Sequence, residues 1–360
     1  MKLKSLAVAV ALVSGNGFAA DVEVSGELEV SLLTTGEDVL YAVKATSGST
    51  QDFGTIDPAD GSFTRITQIS PTGLGWPLGD VGSEPDPING FVYTRQTNNE
   101  SSQTDILAIK KSDGSTQWLG VGGSSLVVGY DTKTNRLILN RQVELDGGDR
   151  VNRLISYSMS DASTEVIASS FSEGNINWQA GGIGAVDSFN RLAFQLRPDT
   201  SSTLYKIDLD TGEEDTVTIS EYVTTIAWDS KNQKLYGLYD SNSNGAYRIA
   251  EIDVATGELT NVGAADTVGG MSNYVQLIAP NDQRYYVQQS AGQIVAVSLE
   301  DGAVLGTFDA PLRVLPPGAV VLGADEGDET VEFDITDPDA AVIKFGENTV
   351  TYTGTNESSG

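Results

Sequence analysis

The chain has 360 residues with 50 Asp and Glu against 21 Lys and Arg, no His and no Cys, for a formal charge of −29. Without imidazole or thiol there is no Ser-His-Asp or Cys-His nucleophile, no histidine metal ligand or pH switch, no disulfide and no thiolate zinc site. A sequence pI near 4.1 also argues against nucleic acid as a partner, because affinity for a phosphate backbone comes from Lys and Arg that displace counterions.

At the N-terminus Lys2 and Lys4 precede an apolar stretch from Leu6 to Val13 and small residues up to Ala20. This tripartite pattern predicts a secretory signal peptide over 1–20, cleaved after Ala19 or Ala20. The apolar stretch of about 8 residues falls far short of the roughly 20 that span a bilayer. The expectation is therefore an exported protein, periplasmic, extracellular or at the cell surface, with no transmembrane segment. Loss of the two leader lysines leaves 19 basic against 50 acidic residues, a mature charge of −31. Such charge keeps a protein dispersed and monomeric; a cationic partner or a divalent ion is the alternative reading.

From residue 39 onward the chain repeats. Six segments end in an acidic or serine turn: Ile56-Asp57-Pro58-Ala59-Asp60-Gly61, Ile109-Lys110-Lys111-Ser112-Asp113-Gly114, Tyr157-Ser158-Met159-Ser160-Asp161-Ala162, Ile207-Asp208-Leu209-Asp210-Thr211-Gly212, Ile252-Asp253-Val254-Ala255-Thr256-Gly257 and Val297-Ser298-Leu299-Glu300-Asp301-Gly302. Their final positions are 53, 48, 50, 45 and 45 residues apart. Upstream of each runs an apolar strand such as Arg136-Leu137-Ile138-Leu139 or Lys234-Leu235-Tyr236-Gly237-Leu238. Several of these follow a shorter strand ending in Asp131, Asp187 or Asp229. Each unit reads as four strands, a to d, and four-stranded units at 40 to 50 residue spacing predict an all-β fold, a β-propeller of antiparallel blades.

The segments Leu204-Tyr205-Lys206-Ile207-Asp208-Leu209-Asp210-Thr211-Gly212 and Ile249-Ala250-Glu251-Ile252-Asp253-Val254-Ala255-Thr256-Gly257 resemble the core of quinoprotein-like, YVTN and NHL propeller repeats over roughly residues 27–310. The resemblance implies an architecture shared by many unrelated functions, and no activity. Past Gly302, the strands near Ala319-Val320-Val321-Leu322, Val331-Glu332-Phe333, Val342-Ile343-Lys344 and Thr349-Val350-Thr351 favour a divergent seventh blade over 319–353; six blades plus a small C-terminal β module is the alternative. The propeller thus covers 21–353 and a polar tail 354–360. Val22-Glu23-Val24 is placed to close the ring by pairing with the last blade.

Asp240-Ser241-Asn242-Ser243-Asn244-Gly245 with Glu251 fits the twelve-residue calcium-loop pattern. Glu251, however, would stand roughly 20 Å along a strand from Asp240 at ~3.3 Å per residue, out of reach as the last ligand. Asp240, Asn242 and Asn244 are therefore read as a hairpin tip, a weak calcium candidate, and no cofactor is expected. Asp131, Asp187 and Asp229, each before a turn with Asn135, Asn190 or Asn232, are read as turn acids rather than a channel ring. Trp118 resembles the docking tryptophan of quinone-type repeats, but it is a single copy, and no bound quinone is expected.

The connections from strand d of one blade to strand a of the next gather, in a propeller, on the face that usually binds ligands. They carry Trp76, Asn175, Asn177, Trp178, Tyr222, Asn273, Tyr274 and Arg313, aromatic rings beside amides that suit a glycan, peptide or protein partner. The alternative is that Trp76 and Trp178 pack between blades. The sequence therefore favours a non-catalytic binding protein with no catalytic residues assigned. The runner-up is a carboxylate- or metal-dependent hydrolase or lyase of lactonase or glycoside-active type on the same fold.

Overall fold

The computed structural model describes residues 39–45, 51–69, 86, 89–98, 103–121, 124–146, 150–173, 184–197, 203–240, 245–263, 268–269, 271–280, 282–289, 293–309, 313–318, 331–337, 340–345 and 348–353. The segment 1–20 read as a signal peptide, Val22-Glu23-Val24 and the tail 354–360 lie outside these residues. No helix among the described residues is long and apolar enough to cross a membrane.

In chain order the strands are β1 (Val39–Ala45), β2 (Gln51–Ile56) and β3 (Phe63–Ile69); β4 (Phe91–Asn98), β5 (Gln103–Lys110) and β6 (Thr116–Trp118); and β7 (Ser124–Asp131), β8 (Arg136–Glu144), β9 (Arg150–Ser158) and β10 (Thr164–Glu173). Next come β11 (Gly184–Asp187), β12 (Leu192–Leu196), β13 (Thr203–Asp208) and β14 (Glu214–Thr218), then β15 (Val223–Asp229), β16 (Lys234–Tyr239), β17 (Arg248–Ile252) and β18 (Leu259–Asn261). The chain continues through β19 (Met271–Ala279), β20 (Arg284–Gln289), β21 (Gln293–Ser298), β22 (Val304–Asp309) and β23 (Arg313–Gly318), and ends with β24 (Val331–Asp337), β25 (Ala340–Phe345) and β26 (Asn348–Thr353).

These strands form the expected antiparallel blades, and there are six. Blades 3 to 6 are the sheets β7–β10, β11–β14, β15–β18 and β19–β22, each in simple sequence order; blade 2 shows β4, β5 and β6 among the described residues. Blade 1 is composite: β23 pairs with β1, through Tyr41 opposite Leu315 and Val43 opposite Arg313, ahead of β2 and β3. This corrects the seven-blade expectation. The inner strand of blade 1 comes from just beyond blade 6, so the ring closes at β23 and no gap is left for a seventh blade. Closure uses β1 and β23, satisfying edges that would otherwise be exposed. Strands β24, β25 and β26 form a separate three-stranded meander in a second compact unit, as the six-blade alternative required.

The repeating turns explain the period. Gly212 N–H donates to the Asp208 carbonyl at 2.8 Å and Gly257 N–H to that of Asp253 at 2.7 Å, both in equivalent c–d turns with φ of 72° and 76°. A Cβ at either would lie 2.1 Å from the carbonyl oxygen of Ile167 or Thr218 on the outer strand of the preceding blade. Glycine there supplies both the left-handed backbone and the close approach of blades. The core lies in the seams. Leu196, Leu204, Val223, Ile226, Leu235 and Tyr239 pack blade 4 on blade 5, and Leu238, Ile249, Tyr285, Val287, Val295 and Val297 pack blade 5 on blade 6. Trp118 packs, partly buried, with Phe53, Ile69, Val92 and Leu107 in the seam of blades 1 and 2, a docking position for that ring.

Candidate functional site

Four antiparallel strands send the a–b and c–d turns to one end of each blade, and the b–c loops and d–a connections to the other. The two ends differ chemically.

At the turn face the acids serve the backbone. Asp187 Oδ1 accepts N–H bonds from Phe189 (3.0 Å) and Asn190 (3.1 Å), and its Oδ2 accepts from Asn190 Nδ2 at 2.7 Å. Asp229 repeats the arrangement with Lys231 N (3.0 Å), Asn232 N (3.2 Å) and Asn232 Nδ2 (3.0 Å). Asp131 takes the Lys133 N–H and the Thr134 hydroxyl, and pairs with Arg191 of the next blade. All three carboxylates are almost wholly buried. Each sits four residues before a left-handed residue, Asn135, Arg191 or Gln233, so they are turn acids, as the sequence suggested. In blade 3 Thr134 stands where blades 4 and 5 have Asn190 and Asn232, and Asn135, one residue on, accepts from Asn89 Nδ2 at 2.9 Å.

Blade 2 holds a further member of this series that the sequence reading passed over. Asp86, four residues before left-handed Gly90, accepts from Asn89 N (2.7 Å), Asn89 Nδ2 (2.7 Å) and Tyr93 Oη (2.7 Å). Burial, with the Asp86 charge beside it, pushes the Tyr93 phenol far above its ordinary range. Lys111 is buried alongside, its ammonium 3.4 Å from the Asp86 carbonyl and 5.9 Å from the centre of the Tyr41 ring. Burial pushes this amine down to about 8, against an opposing pull from Asp86. The spacing shared by Asp86–Gly90 and Asp131–Asn135 was the available signal for this cluster.

Of the residues predicted for the connection face, Tyr222 is the one that the described residues place on a connection. Tyr222 lies immediately before β15, and since β15 runs down to the Asp229 turn, the ring stands at the opposite end. It is 63% exposed between Ile219 and Val223, which are buried. Trp76, Asn175, Asn177 and Trp178 lie outside the described residues. Asn273 and Tyr274 fall within β19 and Arg313 opens β23, so these three belong to inner strands rather than to connections. The β19–β20 ladder shifts register between Met271 and Gln276, where the connection and the strand merge.

At the proposed calcium loop, Gly245 N–H donates to Asp240 Oδ2 at 2.8 Å, and Glu251 is engaged by Lys234 Nζ at 2.7 Å across the blade. Asn242 and Asn244 lie outside the described residues. The sequence reading also overlooked amides carried by strands: Asn140 on β8 and Gln195 on β12, both buried at the seam of blades 3 and 4 toward the connection face.

No model of a protein family matches the sequence, and no curated protein matches it. Among solved structures, a chain of the nidogen/laminin complex is similar at a TM-score of 0.54 and 11% identity, over 79% of this chain and 99% of that one. A protein proposed to be a 6-phosphogluconolactonase from Bacteroides fragilis covers 79% of this chain and 98% of its own, at 13% identity and a TM-score of 0.43. The first likeness agrees with the propeller fold read from the strand order; at 11% identity the fold is what is shared.

Proposed function

We propose that this chain is an exported, non-catalytic binding protein that engages a protein partner through the connection face of its propeller. The observation that carries this reading is Tyr222: a large ring held exposed on a short connection whose flanking residues are buried. A ring fixed in this way offers apolar area and a phenolic hydroxyl at little entropic cost, the character of an interface anchor. On the turn face, by contrast, the buried carboxylates are committed to turn hydrogen bonds. The similar chain in the nidogen/laminin complex supports a protein as the kind of partner for this fold, the leader pattern supports export, and the charge of −29 disfavours acidic partners.

The test is selection of peptides from a displayed library on the purified protein, followed by affinity measurements on Tyr222→Ala. A tenfold or greater loss with an unchanged melting temperature is expected, since anchor truncations cost 2 kcal/mol or more. Unchanged affinity would remove the site from this face, and metal-dependent turnover of a lactone or glycoside by the wild type would put a hydrolase in its place.

A further inference from the structure

The blades differ in how far their b–c hairpins run toward the connection face. In blade 3 the ladder continues to Glu144 opposite Arg150, nine residues past the left-handed Asn135. The ladders of blades 4, 5 and 6 stop at Leu196, Tyr239 and Gln288, five or six residues past Arg191, Gln233 and Gln283. At ~3.3 Å per residue, the blade 3 hairpin runs roughly 10 Å further as paired strand. Blade 2 is nearly as long, its ladder reaching Asn98 opposite Gln103.

At the tip of the blade 3 hairpin stands Leu145, 40% exposed. Across the b–c connections 46–50, 99–102, 145–149, 197–202, 240–247 and 290–292 it is the only Val, Ile or Leu. One exposed leucine is ordinary on a protein surface; its neighbour sets this one apart. Leu145 is followed by exposed Asp146, and Tyr222 is preceded by exposed Glu221. Neither carboxylate enters a hydrogen bond or ion pair among the described residues. Phe189, the exposed ring of the turn face, lies instead between uncharged Ser188 and Asn190.

The connection face thus shows the same pairing twice, an exposed apolar side chain beside an uncommitted carboxylate. Leu145 belongs to blade 3 and Tyr222 to the connection from blade 4 to blade 5. Stacked sheets lie about 10 Å apart, so the two pairs stand roughly 20 Å apart around the ring, within the ~30 Å width of an ~800 Å² contact. A surface that covers Leu145 or Tyr222 also strips water from the adjoining carboxylate, which costs free energy unless the partner brings a cation. We infer that the partner is recognised through a basic segment in which apolar residues adjoin Lys or Arg, one such pair meeting Tyr222 and Glu221 and another meeting Leu145 and Asp146. The chain's charge of −29 steers such a segment in and repels an acidic one. This inference rests on the reading that the connection face binds a protein.

The experiment selects a phage-displayed loop library on the wild-type protein and measures the enriched loops against Leu145→Ser, Asp146→Asn, Tyr222→Ala and the turn-face control Phe189→Ser, with melting curves for each. Enriched loops should carry Lys or Arg beside an apolar residue. Leu145→Ser and Asp146→Asn should each weaken binding about fivefold or more, and Phe189→Ser should leave it unchanged. Affinity should fall about tenfold between ~50 and ~500 mM salt. Melting temperatures should stay at the wild-type value, since all four side chains are exposed. Loops without Lys or Arg, or loops that bind Leu145→Ser and Asp146→Asn as tightly as wild type, would overturn the inference. If such loops still depend on Tyr222, the binding face survives without the basic partner; if the wild type selects no loop at all, both readings fail.

Discussion

The seam between blades 4 and 5 and the seam between blades 3 and 4 are built from the same strand repeat and end differently. In the first, Leu196, Leu204, Val223, Ile226, Leu235 and Tyr239 form an apolar contact that extends to the connection face, and the Phe194 and Trp228 rings meet at 5.4 Å between centroids. In the second, the apolar contact stops partway and gives way to Asn140, Gln142, Asn152, Gln195 and Arg197. Since blade geometry is common to both, the difference lies in side-chain chemistry at equivalent positions. The position five residues past the turn follows no single rule around the ring: Arg95, Asn140, Leu196, Leu238 and Gln288 occupy it, so polar and apolar side chains are both accommodated there.

The largest effect in this comparison should come from moving the departure to the apolar seam. Leu196→Asn removes a buried aliphatic side chain and leaves an amide without partners. The lost burial and the unmet polar atoms together should cost about 3–5 kcal/mol, read as the shift in urea midpoint at unchanged m-value. A cost near zero would mean that the seam of blades 4 and 5 accepts an amide as readily as the seam of blades 3 and 4.

A somewhat smaller effect distinguishes a charged polar group from a neutral one in a seam. Lys111 titrates at about 8 when folded, below its ordinary 10.5. Between these values the unfolded chain binds more protons than the folded one, so wild-type stability should rise as pH goes from about 8 to 10.5 and stay at its lower level below 8. Lys111→Met removes this dependence. It should be more stable than wild type by roughly 3 kcal/mol at pH 7, with the advantage shrinking above pH 8. A constant difference across pH 7–10.5 in denaturant titrations would show that Lys111 ionises as an ordinary surface amine.

Much of the fold was legible because its strongest signals are local. At Gly212 and Gly257, where a Cβ would strike the preceding blade, the left-handed turn residue shows as glycine in the sequence, and the apolar b and c strands flanking it are continuous runs. The blade count was not legible in the same way. Whether the segment after Gly302 adds a blade or returns to the first one depends on pairing between β1 and β23, residues some 270 positions apart, and no local pattern encodes that register. Of the eight residues proposed from the connections, Trp76, Asn175, Asn177 and Trp178 lie outside the described residues. Tyr222 is exposed on the expected face, but attention to connections missed Asn140 and Gln195, whose strands look apolar unless each copy is aligned on its turn residue. Asp86 escaped for a related reason: its repeat begins with Asp86-Pro87-Ile88-Asn89-Gly90, without the apolar strand that precedes Asp131 and Asp187.

The central claim is that one end of the propeller binds and the other end folds. Hydroxyl-radical footprinting with a library-selected loop bound tests it directly, because each face presents a reactive exposed ring: Tyr222, 63% exposed, at the connection face, and Phe189, 59% exposed, in the a–b turn of blade 4. The account predicts protection of Tyr222 on binding with Phe189 oxidised as in the free protein. Protection of Phe189 with Tyr222 unchanged would place the partner on the turn face and contradict it.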